Sequence, residues 1–178
     1  MIEATKRVVF FDGDGTLWYP RTTRRTRPPQ WVYLDRTIID PIAELIVTPT
    51  TRETLSVLGG LGVKRVLLST CPLPEEEAIL DRTRAAKQVD IHHLLDDVQV
   101  APDHPGGKGE RIITLLGMYG LDKEHALMVG DTYERDYRSA QAVGVDGLHI
   151  TTDYHQDFVD QLDRSRVIAD VGDVLSRI

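Results

Sequence analysis

The chain is almost free of cysteine, with Cys71 alone among 178 residues. A single thiol cannot build an internal disulfide framework, and it cannot supply the several thiolates of a structural zinc site. The first residues also lack the apolar stretch that a secretory signal peptide requires. We therefore expect a protein of a reducing compartment, and the predicted location is cytoplasmic.

Long apolar runs and an excess of positive charge are also missing. No run approaches the roughly 20 apolar residues that cross a bilayer, so we expect no membrane partner. The formal net charge is -7, whereas nucleic acids and anionic membrane surfaces attract basic proteins; we therefore expect no nucleic-acid partner. Composition (41% hydrophobic, 28% charged) and length indicate a globular protein, and they favour a single domain over residues 1–178.

The sequence does contain short apolar runs that alternate with helix-like segments. This alternation predicts an α/β fold, in which a parallel sheet is covered by helices on both faces. Helices are expected to begin near Thr50, where Thr50 and Glu53 have the spacing of a capping box, near Pro74 and near Gly109, and a further one to end at about Val143. The runs predicted as strands are 8–11, 65–69, 98–101, 126–130, 148–150 and 167–169.

One long segment, residues 18–40, shows neither a helical nor an alternating pattern. It contains three prolines, Pro20, Pro28 and Pro29. Long irregular segments in compact domains are commonly lids or binding loops. We interpret 18–40 as an irregular flap over a site.

Two carboxylates, Asp12 and Asp14, follow the apolar run 8–11 directly. A run that is apolar on both faces indicates a buried parallel strand, and open α/β sheets bind their ligands at the carboxyl ends of such strands. Acids this close repel each other unless a cation or a proton intervenes. The alternative is an Asp-Gly hairpin turn, but no partner strand follows Thr16.

Other polar groups fall at the ends of later predicted strands or at the start of a helix. Ser69 and Thr70 close the second strand, and Lys108 stands between glycines at a helix start. Asp131 and Asp136 follow the run 126–130. Each group alone has an ordinary explanation, such as a helix cap, a solvated lysine or a turn. Their common order along the chain favours a shared site.

This order resembles the four motifs of the haloacid dehalogenase superfamily of phosphohydrolases. The motifs look like residues 12–16, then Ser69, then Lys108, then 130–136, and the resemblance covers about 8–150. It implies a Rossmann-like sheet, a Mg²⁺ ion and an aspartyl-phosphate intermediate, and hence a magnesium-dependent phosphomonoester hydrolase.

The resemblance also implies catalytic roles. Asp12 would take the phosphoryl group, and Asp14 would protonate the leaving alkoxide and then activate water. An acid at position 14 favours a phosphatase over a dehalogenase. Ser69 and Lys108 would stabilise the charge on the transferring phosphoryl oxygens.

A magnesium site is implied at the same place, because Mg²⁺ prefers oxygen ligands and keeps several waters. Asp12 and Asp131 look like direct ligands, and the backbone carbonyl of Asp14 looks like a third. Asp136 would contact the ligands of the ion rather than the ion itself, or it would pair with Lys108.

The gaps between motifs leave no room for a large cap domain. Residues 18–49 are too few and too irregular for a helical cap, and 102–107 are too few for a sheet cap. Thr16, Leu17 and Trp18 are similar to the capless magnesium-dependent phosphatase branch. An open site suits a phosphoprotein, or a small phosphorylated metabolite enclosed by a neighbouring subunit, so we expect either a monomer or a homo-oligomer that shields the site.

Four further residues are candidates for substrate binding. Arg24 and Arg25 lie in the arginine-rich flap, and guanidinium groups suit phosphate or carboxylate. Thr70 follows Ser69, and His104 lies before Lys108. A solvated flap and a surface histidine are the alternatives.

Two other functions have to be weighed. A phosphate-binding or scaffold protein with weak catalysis would keep the same fold, although acids at every motif position argue against it. A response-regulator receiver shares an aspartate, a lysine and magnesium. It would carry its phosphoacceptor aspartate after a later strand, where this chain has Ser69 and Thr70.

Overall fold

The computed structural model of the chain describes residues 5–155 and 159–178. Residues 1–4, which bear on the expected lack of a signal peptide, lie outside this part. The strands of the described residues are β1 (Val8–Phe11), β2 (Trp18–Pro20), β3 (Leu45–Val47), β4 (Lys64–Thr70), β5 (Asp97–Ala101), β6 (Ala126–Gly130), β7 (Asp146–Ile150) and β8 (Val167–Ile168).

Helices of three kinds connect these strands, and none within the described residues is long and apolar enough to cross a membrane. The α-helices are α1 (Trp31–Leu34), α2 (Thr51–Gly60), α3 (Glu75–Gln88), α4 (Gly107–Tyr119) and α5 (Ser139–Ala142), and a π-helical segment spans Tyr133–Arg138. Short 3₁₀-helices occupy Pro41–Glu44, His92–Leu94, Lys123–His125, Val159–Gln161, Arg164–Arg166 and Val171–Arg177.

Six strands form one parallel sheet in the order β5-β4-β1-β6-β7-β8. Strand β1 lies at its centre, where Phe11 pairs with Leu67 of β4 and with Val129 of β6. Parallel strands end at the same edge, so the loops that follow β1, β4, β5 and β6 converge there. The predicted strands are all present, and the α/β fold class is confirmed.

The pleat of the strands divides the core into two layers, because successive side chains point to opposite faces. Val9 and Phe11 pack on one face with α2, α3 and the C-terminal 3₁₀-helix. Val8 and Phe10 pack on the other face with α4 and α5. All four side chains are fully buried, which explains why β1 is an unbroken apolar run rather than an alternating one.

The segment 18–40 is more regular than the sequence suggests. Strand β2 pairs antiparallel with β3, with Trp18 opposite Val47, and α1 lies between them in the chain. The expected irregular flap is thus partly a two-stranded sheet. Strands of three residues are too short to show a period, and the partner of β2 lies beyond residue 40. As expected, residues 5–155 and 159–178 contain no large cap domain.

The predicted capping box at Thr50 is wrong. Thr50 has a left-handed φ of 61°, and no side-chain bond caps α2. Its hydroxyl instead contacts Asp170 and accepts a hydrogen bond from the backbone N–H of Gly172 at 2.9 Å. A capping box does form at the C-terminal 3₁₀-helix, between Asp170 and Asp173.

Candidate active site

The first acidic residue of the site stands at the end of the central strand. The backbone N–H of Asp12 donates to the carbonyl of Val129 at 2.9 Å, which extends the sheet pairing by one residue. The chain then turns at Gly15, whose φ is +83°. A Cβ atom there would collide with the carboxylate of Asp131. Only glycine therefore allows the turn to pass so close to the second acid.

Three buried carboxylates meet at this edge of the sheet. Oxygen atoms of Asp12, Asp131 and Asp136 all lie within 4.8 Å of one another. Lys108, at the start of α4, reaches into the cluster, where its Nζ contacts Asp12 and donates to Asp136 Oδ1 at 2.5 Å. Three acids thus face one cation in a nearly dry environment.

This arrangement shifts the ionisation of its members. Burial raises the pKa of Asp12 to about 7 despite the opposing effect of Lys108. Burial also raises the pKa of Asp131 well above its usual value, and the charges of Asp12 and Asp136 add to that shift. Burial would lower the pKa of Lys108, but the two carboxylates outweigh it and raise that pKa. Lys108 therefore stays protonated, while Asp12 and Asp131 hold protons more readily than ordinary carboxyl groups do.

The carboxylate oxygens of this cluster suit a Mg²⁺ ion. Oxygen ligands in excess of the local positive charge are what a hard divalent cation requires. Both carboxylate oxygens of Asp136 already accept hydrogen bonds. Oδ1 accepts from Lys108, and Oδ2 accepts from the backbone N–H of Thr132 at 2.9 Å. These contacts match the expectation that Asp136 pairs with Lys108.

A cavity of about 720 Å³ opens above the cluster. Asp12, Asp14, Ser69, Thr70 and Lys108 all line it. Ser69 is only 3% exposed, because β4 delivers it beside β1 in the middle of the sheet. The structure thus brings together the strand-end residues that the sequence nominated.

Asp14 is held by three donors. Its Oδ1 accepts from Trp18 Nε1 and from the Tyr33 hydroxyl, each at 2.9 Å. Its Oδ2 accepts from Arg82 Nη1 at 2.7 Å. We call Trp18, Tyr33 and Arg82 the Asp14 clamp. The flap supplies two of its members, so the flap positions the second acid.

Arg82 of the Asp14 clamp is a charged residue that the sequence did not reveal. It is 4% exposed on α3, it also donates to Asp81, and its Cζ lies 5.3 Å from the centre of the Tyr33 ring. Asp81, Arg82 and Arg84 together resemble a solvated helix face. No local pattern marks the middle residue as buried.

Two more contacts were not predicted. The hydroxyl of Tyr154 donates to Asp131 Oδ2 at 2.6 Å, from the loop after β7. Arg135, in the π-helical segment, lines the cavity and forms an ion pair with Asp103. The sequence interval 131–136 drew attention to Asp131 and Asp136 and not to the arginine between them.

Three predicted substrate-binding residues lie elsewhere. Arg24, Arg25 and His104 are not among the described residues that line the cavity. Arg25 donates to the carbonyl of Ala169 at 2.7 Å and so ties the flap to the C-terminal segment. His104 is exposed and stands 3.6 Å from Glu110. Their placement gives no support to the expectation that they bind substrate.

Comparisons with known proteins agree with this fold. Residues 23–144 match a family described as haloacid dehalogenase-like hydrolases. An acid sugar phosphatase of Staphylococcus aureus (strain USA300) is 35% identical over 109 residues, which is 57% of this chain and 40% of that protein. The chain therefore spans less than half the length of the curated relatives it matches.

Solved structures resemble nearly the whole chain. A haloacid dehalogenase-like family hydrolase from Streptococcus pneumoniae superposes with a TM-score of 0.69 at 19% identity, covering 97% of this chain and 98% of that one. A structure described as a predicted phosphoglycolate phosphatase from Haemophilus somnus reaches a TM-score of 0.74 at 16% identity, covering 98% of both chains. At such identities the likeness concerns the fold.

The family match covers well over half of the chain, and the described residues form the parallel sheet that the resemblance in the sequence implies. The expected membership of this superfamily is confirmed. This chain belongs to the haloacid dehalogenase-like hydrolase family.

Proposed function

We propose that the protein is a magnesium-dependent phosphomonoester hydrolase that forms an aspartyl-phosphate on Asp12. The observation that carries the proposal is the buried cluster of Asp12, Asp131 and Asp136 around Lys108, at the bottom of an open cavity. Family membership and the phosphatase among the relatives support the reaction class.

The chain's own residues account for phosphoryl binding. Lys108 remains positively charged beside Asp12, and Ser69 lines the same cavity floor with its hydroxyl. Fixed donors and cations of this kind stabilise the charge on transferring phosphoryl oxygens. Lys108 also contacts Asp12 Oδ1, so the rotation of the nucleophilic carboxylate is fixed before substrate arrives.

Two displacements at phosphorus complete the reaction. With a proton on Asp14 at the outset, an Asp12 oxygen bonds to phosphorus, the ester P–O bond breaks, and the leaving alkoxide takes that proton. Asp14 then accepts a proton from water as that water attacks phosphorus and the bond from phosphorus to Asp12 breaks. One residue serves as acid and then as base, which agrees with the position of Asp14 in the cavity wall rather than in the acid cluster.

A bound Mg²⁺ would supply charge neutralisation between Asp12 and the phosphoryl group. Asp12 and Asp131 would hold it, together with the backbone carbonyl of Asp14. Tyr154 orients Asp131 by donating to one of its oxygens. Asp136, with both oxygens engaged, holds Lys108 in place.

The substrate in this proposal is a small phosphorylated molecule. The cavity of about 720 Å³ is of a size suited to a small ligand. The name of the Staphylococcus aureus relative makes sugar phosphates the first class to test. A single domain over residues 1–178 and a cytoplasmic location also belong to the proposal.

The test compares Asp12→Asn with wild type on an aryl phosphate in the presence and absence of Mg²⁺. We expect hydrolysis by the wild type only with the ion and none by the variant. Asp122→Asn is the matched control, because Asp122 is exposed and outside the cavity lining. Equal turnover by Asp12→Asn and wild type would refute the mechanism. Tight phosphate binding by a wild type without turnover would favour the scaffold function instead.

A further inference from the structure

Among the described residues, every lysine and arginine that lines the cavity has an acidic partner. Three lysine or arginine side chains line it within the described residues, and each faces carboxylates. Lys108 faces Asp12 and Asp136, Arg82 faces Asp14 and Asp81, and Arg135 faces Asp103. The phosphoryl group engages Lys108, so the leaving group meets only cations that are already neutralised.

The pair formed by Arg135 and Asp103 stands at the mouth. Asp103 follows β5 and Arg135 follows β6, and these strands flank β4 and β1, which carry Ser69 and Asp12. Nη1 of Arg135 also lies 3.5 Å from the hydroxyl of Thr70 at the end of β4. The side chains of Arg135 and Asp103 are 42% and 40% exposed, so a bound molecule can reach both.

This pairing discriminates between leaving groups by charge. A carboxylate or a second phosphate on the leaving group would have to displace Asp103 from Arg135, and it would stay close to the displaced acid. A hydroxyl both donates and accepts hydrogen bonds, so it can donate to Asp103 and accept from Arg135 without breaking the pair. Like charges placed together select against the wrong partner.

We propose that this cavity takes phosphate esters of uncharged, hydroxyl-bearing alcohols, and that Asp103 excludes leaving groups with a second negative charge by occupying Arg135. The inference rests on the proposed hydrolase function. It assigns a specificity-determining role to a pair that lies outside the phosphoryl-binding cluster.

The test uses esters that differ in one group. Glycerol 3-phosphate and 3-phosphoglycerate share a three-carbon skeleton, with a hydroxymethyl group in one and a carboxylate in the other. Glucitol 6-phosphate and 6-phosphogluconate form a second, open-chain pair with the same difference. With Mg²⁺ at low salt, we expect wild-type kcat/KM to favour the uncharged member of each pair by about fivefold, in line with modest exposed charge interactions.

Two substitutions should move this ratio in opposite directions. Asp103→Asn frees Arg135 and should lower the preference by about two- to fivefold, whereas Arg135→Gln leaves Asp103 unpaired and should raise it. General damage to the fold would not produce opposite shifts. Glu134→Gln is the matched control, because Glu134 lies on the same π-helical segment, is exposed and pairs with Arg138.

Each outcome decides the inference. A wild type that hydrolyses the carboxylate esters as well as the uncharged ones overturns it, and so does an Asp103→Asn ratio equal to that of Glu134→Gln. Loss of all turnover, including that of an aryl phosphate, would refute the hydrolase function instead. In that case calorimetric affinities for the same ester pairs decide, and equal affinities overturn the charge selection.

Discussion

Replacing Arg82 by methionine should destabilise the protein and slow its reaction. The Arg82 side chain is only 5% exposed, and its guanidinium bonds Asp14 at 2.7 Å and Asp81 at 2.5 Å. Methionine keeps much of the apolar stem and removes the charge and all the donors. Both carboxylates are then left without a cation.

The loss of stability can be worked from these contacts. Breaking a buried ion pair from one side typically costs about 3–5 kcal/mol. Asp81 is 29% exposed and can regain water, and Asp14 keeps its bonds to Trp18 and Tyr33. We therefore expect a decrease near the lower end, about 3 kcal/mol in the free energy of unfolding, measured by urea denaturation of the metal-free protein.

The effect on rate should fall on kcat rather than KM. Arg82 holds one of the two oxygens of Asp14, and a displacement of about 1 Å at a reacting group can cost on the order of 100-fold in rate. Arg82→Lys keeps the charge but not the fork that serves two acids, so it should recover part of kcat. Steady-state kinetics on an aryl phosphate measure both. A kcat for Arg82→Met within threefold of wild type, or no recovery with lysine, would refute the clamp.

Three further predictions concern the metal site, pH and the core. Tyr154→Phe removes the donor to Asp131 and should weaken Mg²⁺ binding about tenfold in calorimetry; unchanged affinity would contradict the orienting role. The pKa of Asp12 is raised from 3.8 to about 7 in the folded protein, so its stabilising contribution is full below pH 4 and lost as pH rises through 7. The metal-free wild type should therefore lose more unfolding free energy than Asp12→Asn between pH 5 and 8, and parallel curves for the two would argue against the shift. Phe10→Ala, at a fully buried position of β1, should cost about 3–5 kcal/mol in denaturant unfolding, and a cost below 1 kcal/mol would show that the layer is loosely packed.

The pattern of apolar and polar residues was sufficient to predict the parallel sheet and the edge at which its acids meet. An apolar run such as 8–11 predicts a buried strand because both of its faces must leave water. Parallel strands end at a common edge, so Asp12 and Asp131 were expected to meet although 119 positions separate them, and the structure places them within 4.8 Å.

The side chains that hold the acids in place depend on tertiary packing. Arg82 lies 68 positions from Asp14 and Tyr154 lies 23 from Asp131, and neither stands in a pattern that sets it apart from a surface residue. The contacts of the flap could not be predicted from the sequence either. Arg25 faces Ala169 rather than the cavity, and Tyr33 reaches Asp14, because the pairing of β2 with β3 sets the course of the flap.

The sequence by itself determined which residues can carry the chemistry, since periodicity and spacing place them at strand ends. Only the tertiary structure decided how their charges are balanced. Burial and ion pairing depend on which distant side chains line the same cavity. These side chains come together only when α3, the flap and the loop after β7 pack against the sheet.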